Sequence, residues 1–335
     1  MTKLAFLDLV PICEGASIAR ALDNAAQVAR HAESLGYGRY WVAEHHGMPG
    51  IGGAATSVVL AHAGAHTSSI RIGSGGIMLP NHAPLQIAEQ FGTLDALYPG
   101  RIDLALGRAP GSDGRVAQAL RRGLHGGEDR FVQDVLELQA YFAGDERAGF
   151  TAVPGAGAHP EMWVLGSSTY GAQLAAALGL PYGFASHFAP AQMDDALAIY
   201  RHQFRPSAFL DRPYVMVAAN LFAADSDEEA QYLATSMQQG FVALRTGAPP
   251  ARVRPPVRGY LDTLGPQARA MLADTLRISA IGTQDTVRAF LAGLIDRTGA
   301  DEIILTSQIF DHEARLRSMA IGAQAALELA QAPPA

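Results

Sequence analysis

The stretch that decides the fold runs from Ser69 to Arg108: SIRIGSGGIMLPNHAPLQIAEQFGTLDALYPGRIDLALGR. Ile70-Arg71-Ile72 is a short β-branched run of the kind found in buried parallel strands. It leads into Gly73-Ser74-Gly75-Gly76, where three residues lack a Cβ and a ligand can approach the backbone. Pro80 and Pro84 then bracket a polar loop carrying Asn81 and His82. Leu85, Ala88, Phe91, Leu94 and Leu97 recur at helical spacing, and Tyr98-Pro99-Gly100 stops that helix. Ile102 to Leu106 forms the next strand, with Gly107-Arg108 at its C-terminal end. The unit is strand, loop, helix, strand, with its glycines at strand ends, where α/β folds bind ligands.

The same alternation extends in both directions. Leu4 to Val10 is the first strand, and Ser17 caps a helix that closes near Leu35-Gly36. Tyr40 to Ala43 is the second strand, followed by Glu44-His45-His46 and a glycine-rich loop into a helix over 54–66. Beyond Arg108 comes a long loop over 109–127, partly helical over 116–122, then a helix over 128–142. Met162 to Leu165, Tyr182 to Ser186 and Tyr214 to Phe222 are the fifth, sixth and seventh strands, and Glu302 to Leu305 is the eighth. Eight β-α alternations predict one (β/α)8 TIM barrel over residues 1–335, with an insertion over 240–280 between strands seven and eight. A doubly wound sheet is the runner-up, but it would place a dinucleotide fingerprint after strand one, where Pro11 and Cys13 stand. Within the insertion, the proline- and arginine-rich run over 249–258 reads equally as a lid or as an inert edge.

Composition narrows the class. Of the 335 residues, 49% are hydrophobic and 17% charged, which fits a well-buried globule rather than a disordered chain. A net charge of −7 argues against an extended nucleic-acid surface. The single cysteine, Cys13, cannot form an intramolecular disulfide, so a cytoplasmic setting is expected. No apolar run is long enough for a membrane span, and the N-terminus does not read as a signal peptide.

In a barrel, groups just past the strand ends converge on one face. Arg108 offers a fixed guanidinium fork suited to a phosphate. Gly166-Ser167-Ser168, opening a helix, adds backbone N–H groups and hydroxyls at the positive end of a helix dipole. Gly73 to Gly76, with Ser74, Gly75 and Gly76 nearest the mouth, would form a wall without side chains, on which a planar ring can lie. Together these features suit a phosphorylated planar cofactor. His45 is the leading catalytic or cofactor-adjacent histidine, with His82 and His187 behind it and Glu44 orienting a histidine or the glycine loop. Because neighbouring strand residues point to opposite sides, only one of His45 and His46 should face the interior. A metal site built from Glu44, His45 and His187 is the rival, and would imply a barrel hydrolase. The favoured reading has no metal.

With those residues assembled, the chain resembles the bacterial luciferase-like flavin monooxygenases. LDLVPICEG, WVAEHHGMPG, the run from Ile72 to Gly111 and VLGSST carry the likeness, which is densest from Tyr37 to Arg108. The resemblance implies FMN at the C-terminal face, used in reduced form with O2 through a C4a-peroxyflavin to oxidise a small organic substrate. It places a non-prolyl cis peptide at Gly75-Gly76 and gives the phosphate to Arg108, Ser167 and Ser168. It also implies that His45 stands by the reactive face of the ring. Where the luciferases carry a reactive cysteine, this chain has Gly107, which argues against light emission and a long-chain aldehyde pocket. Coenzyme F420 in a hydride transferase of the same fold is the alternative, as is a non-catalytic flavin-binding subunit. A homodimer is expected, with NAD(P)H acting through a separate flavin reductase.

Overall fold

The computed structural model describes residues 2–109, 114–120, 130–145 and 149–331. β1 (Lys3–Asp8), β2 (Arg39–Val42), β3 (Arg71–Met78), β4 (Ile102–Gly107), β5 (Glu161–Gly166), β6 (Tyr182–Phe184) and β7 (Val215–Ala223) follow in order around a parallel sheet. A short β8 (Ser279–Gly282) pairs with the last residues of β7, from Asn220 to Ala223. β9 (Glu302–Thr306) lies between β7 and β1 and closes the ring. The result is an eight-stranded parallel barrel with β8 as an added strand. The sequence reading of eight strands and its order therefore holds, with Glu302 to Leu305 as the closing strand and β8 unforeseen.

Helices α1 (Ile18–Ser34), α2 (Thr56–Gly64), α3 (Pro84–Leu97), α4 (Gly114–Leu120), α5 (Phe131–Phe142), α6 (Thr169–Leu178) and α7 (Met193–Gln203) fall between successive strands. α8 (Asp227–Arg245), α9 (Pro266–Thr275), α10 (Gln284–Thr298) and α11 (His312–Gln331) complete the outer layer. The N-terminus of α8 forms as its sequence dictates, with Ser226 accepting from the Glu229 N–H and three acids in the first turn. Of the expected loop over 109–127, residues 110–113 and 121–127 lie outside the described residues, and α4 covers 114–120. The N-terminal part of the expected helix over 128–142 also lies outside them; α5 begins at Phe131.

The strands are apolar almost throughout because both faces are covered. Along β2, Tyr40 and Val42 pack outward with the helices, whereas Trp41 and the following Ala43 point into the barrel. β7 behaves alike, with Met216 and Ala218 inside and Val215, Val217 and Ala219 outside. Trp41 and Trp163 meet edge to face in the lumen, centroids 5.3 Å apart.

The N-terminal end of the barrel is plugged by charge. Arg39 bonds Asp103 at 2.8 Å, Glu161 at 2.9 Å and Glu302 at 3.0 Å. Trp41 Nε1 donates to Asp103 and Tyr214 Oη to Glu302, so the buried carboxylates are satisfied from several strands. At the other end of β1, buried Asp8 pairs with Arg315 of α11 at 2.7 Å and accepts from Tyr40 Oη and the Val10 N–H. This pair ties the last helix to the first strand and leaves the C-terminal mouth open between strand ends.

Candidate functional site

β3 runs on through the glycines instead of ending at Gly73. What keeps it paired is Ser74, whose Oγ donates to Ala105 O at 2.9 Å and accepts from Ala105 N at 3.0 Å. The ladder then slips by one residue between Gly75 and Ile77, and the peptide Gly75–Gly76 is cis. A Cβ on Gly75 would lie 2.5 Å from Leu7 Cδ1, and one on Gly76 would lie 2.5 Å from Ala105 O. At Gly76 the obstacle is strand backbone and only glycine fits, whereas at Gly75 it is the end of the Leu7 side chain; the other side of the bend faces a cavity of about 480 Å³.

His45, Gly75, Gly76, Arg108, Gly166, Ser167 and Ser168 all line that cavity. Ser74 does not: its hydroxyl is spent on Ala105 inside the sheet, where it holds the wall. Gly166 and Gly171 let the first turn of α6 settle onto the end of β5, since a Cβ on either would sit 3.3–3.4 Å from the other's Cα. Ser168 is the N-cap of α6, yet its side chain makes no capping bond. Arg108 stacks on Tyr170 in that turn, with 4.0 Å from its guanidinium carbon to the ring centroid. Among the described residues Arg108 has no carboxylate partner. A fixed cation, two hydroxyls and a helix start thus share one rim, a donor set that fits a phosphate.

Behind the glycine wall, Glu44 is buried and fully employed. Its Oε1 accepts from His46 Nε2 at 2.6 Å and His82 Nε2 at 2.8 Å, and its Oε2 from the Met78 N–H at 3.0 Å. Burial pushes its pKa up, but the bonds from His46 and His82, the His82 charge and the Met78 N–H outweigh it and hold the carboxyl at about 2. The alternation along the strand end thereby sends His46 to Glu44 and His45 to the cavity. These three groups form the one cluster of metal-ligand type among the described residues. In that cluster of Glu44, His46 and His82, each histidine Nε2 sits at hydrogen-bond distance from Glu44 Oε1, closer than the roughly 3.3 Å between ligands of a tetrahedral ion. The trio Glu44, His45 and His187 is not brought together, because Glu44 faces away toward His46 and His82.

His45 Nδ1 lies against the Glu44 carbonyl oxygen, which can only accept, so Nδ1 carries the proton and Nε2 is left as an acceptor. Burial lowers the His45 pKa, against the opposing pull of Glu44. His187, at the end of β6, also lines the cavity; burial, with His45 adding to it, lowers its pKa to about 3. Its Nδ1 is buried without a hydrogen-bond partner. Both imidazoles are therefore neutral near pH 7.

Residues beyond the strand ends complete the enclosure. Ser236, Met237, Gly240, Phe241 and Leu244 share one face of α8, and Pro250 to Arg254 pass over the opening. The stripe on α8 was readable as helical spacing, but nothing in the sequence told which face meets the mouth.

A Luciferase-like monooxygenase family model matches residues 9–302. A "Luciferase-like monooxygenase" of Escherichia coli K12 is 50% identical over 326 residues, 97% of each chain. The chain belongs to the luciferase-like monooxygenases. As a member of that family it is an oxidoreductase. An N-acetyl-S-alkylcysteine monooxygenase of Bacillus subtilis is 34% identical over 254 residues, 74% of this chain and 75% of that one. The crystal structure of apo-MsnO8 superposes with a TM-score of 0.91 at 34% identity, covering 100% of both chains. Likeness in fold alone extends to the oxygenating constituent of 3,6-diketocamphane monooxygenase in complex with FMN, with a TM-score of 0.72 at 15% identity over 97% of both chains. It also extends to an F420-dependent secondary alcohol dehydrogenase, with a TM-score of 0.67 at 14% identity over 97% of this chain and 98% of that one.

Proposed function

We propose that this luciferase-like enzyme binds reduced FMN in the barrel mouth and uses O2 to oxidise a small, largely apolar organic substrate. The observation that carries the reading is the pairing on one cavity of a wall free of side chains with a guanidinium and hydroxyls that have no hydrogen-bond partner among the described residues. Arg108, Ser167 and Ser168 would hold the phosphate, and Gly75-Gly76 would lie against the ring. Bound there in reduced form, the flavin supplies the electrons and the centre at which oxygen is activated.

The chain's own residues do the rest. His45, with its proton on Nδ1, presents Nε2 as a proton acceptor toward the reacting groups. Glu44 keeps His46 and His82 fixed behind the wall, so the ring would rest on a backed surface. Leu9, Ile51, Phe131, Phe188, Met237 and Phe241 make the space above the wall apolar and exclude water from it. The segment over 249–258 acts as a roof. Val253 N donates to Ile12 O at 3.0 Å, and Glu14 N to Val253 O at 2.8 Å.

A homodimer, a separate NAD(P)H-dependent flavin reductase and a cytoplasmic setting belong to the same proposal. No helix among the described residues is long and apolar enough to cross a membrane. The likeness in fold to an F420-dependent dehydrogenase keeps one rival reading, hydride transfer with F420. The deciding experiment measures oxygen consumption and product formation with a flavin reductase, NADH and FMN over a panel of thioethers, ketones and terpenes. The proposal expects substrate-dependent oxygen uptake and an oxygenated product. Turnover with reduced F420 under anaerobic conditions, and none with FMN, would replace it with the rival.

A further inference from the structure

The roof carries three arginines, and their surroundings differ. Arg258 meets Glu228 at 3.0 Å and Glu229 at 3.4 Å, far down α8. Arg254 lines the cavity but meets Glu14 at 3.5 Å. Arg252 lines the cavity and is half-buried, and its Nη1 donates to the Ala16 carbonyl at 2.7 Å. No carboxylate answers it among the described residues, and no aspartate or glutamate is among the residues that line the cavity.

Position separates this cation from the flavin phosphate. Ala16 follows the end of β1, whereas Arg108 is seated on the first turn of α6, after β5. Around the closed ring β1 and β5 are opposite strands, so the two arginines are anchored on opposite sides of the mouth. His45 and His187 are neutral and supply no competing cation. The roof is also held in place: the Val253 backbone is bonded on both sides to Ile12 and Glu14, so Arg252 is presented to the cavity from a fixed edge.

We propose that Arg252 binds a carboxylate on the substrate, so that the enzyme selects apolar molecules bearing one anionic end. This rests on the flavin reading in one respect only, that Arg108 is committed to the phosphate. A guanidinium fork matches a carboxylate in two-point contact, and the apolar walls take the remainder of the molecule.

The test uses the full chain and a matched series of straight-chain acids from butyrate to decanoate, each with its primary amide. Binding is measured by calorimetry with and without reduced FMN kept anaerobic. At least one acid should bind more tightly than its amide. Arg252→Ala should weaken the acid by roughly ten- to a hundredfold and leave the amide unchanged. Arg252→Lys should keep part of the preference, and FMN affinity should be the same in all three proteins. No preference for any acid over its amide in the wild type, or an equal preference in Arg252→Ala, overturns the proposal. So does a loss of NADPH binding in Arg252→Ala with acid binding intact, which would give the arginine to a nucleotide phosphate. Failure of the flavin reading is seen separately, as absent FMN binding in the wild type while acid binding without flavin is still read.

Discussion

Replacing Glu44 by glutamine tests the support behind the cavity wall. The carboxylate is 1% exposed and receives two imidazole N–H groups and the Met78 N–H. Its pKa is held at about 2, against an ordinary value of 4.5. At about 1.4 kcal/mol per unit, that difference is worth on the order of 3 kcal/mol of folding stability. Glutamine keeps the shape but turns an NH2 toward one of three donors, so most of that should be lost. For a chain of this length the loss corresponds to about 4 °C in Tm.

The pH dependence carries the sign. A carboxyl whose pKa is depressed on folding stabilises the native state above its ordinary value and loses that contribution as pH falls toward the folded value. Urea unfolding should therefore show Glu44→Gln less stable than wild type throughout about pH 5 to 7. The gap should narrow below about pH 4.5, because only the wild type then takes up the proton. A gap under about 1 kcal/mol at neutral pH, or one that widens in acid, would refute the reasoning.

Three further outcomes are expected. Arg315→Met should cost about 3–5 kcal/mol in urea unfolding, because it strands Asp8, 0% exposed, without its counter-charge; a loss under about 1 kcal/mol would contradict the buried-pair account. His187, labelled at Cε1, should show no titration by NMR from about pH 8 to about pH 5, since its pKa lies near 3. The unfolded chain takes up that proton first, so acid should destabilise the fold through His187, and His187→Asn should be less acid-sensitive. Gly50→Ala should disturb the roof, since a Cβ there would lie 2.6 Å from Ala251 O, and should raise substrate KM with little change in FMN affinity.

The barrel was legible because its strands alternate with helices at regular spacing and are apolar on both faces, as Tyr40-Trp41-Val42-Ala43 and Met162 to Leu165 show. β8 escaped because Ser279-Ala280-Ile281-Gly282 is four residues long, between two helices, and has no pattern apart from its pairing with β7. The strand through Gly73 to Gly76 escaped for a different reason. Glycine weakens a strand, and only the cross-strand bonds of Ser74 show how the run stays paired.

The rim residues were found by a topological rule, that strand ends converge, and His45, Gly75, Gly76, Arg108, Gly166, Ser167, Ser168 and His187 do line one cavity. Glu44, Ser74 and His82 do not line it, because the rule fixes where a residue is, not where its side chain turns. It could not find Arg252, since that arginine and the adjoining Val253 reach the mouth through bonds to Ala16, Ile12 and Glu14, more than 200 residues away in sequence.

The central claim is that Arg108, Ser167 and Ser168 receive the phosphate of a flavin whose ring lies on Gly75-Gly76. Its most direct test is a titration of wild type and Arg108→Ala with reduced FMN and with reduced riboflavin, which differ only in that phosphate. FMN should bind the wild type more tightly than riboflavin by about 1.5–3 kcal/mol, and Arg108→Ala should remove most of the difference while leaving riboflavin affinity in place. Equal affinity of the wild type for the two flavins, or an undiminished difference in Arg108→Ala, would contradict it.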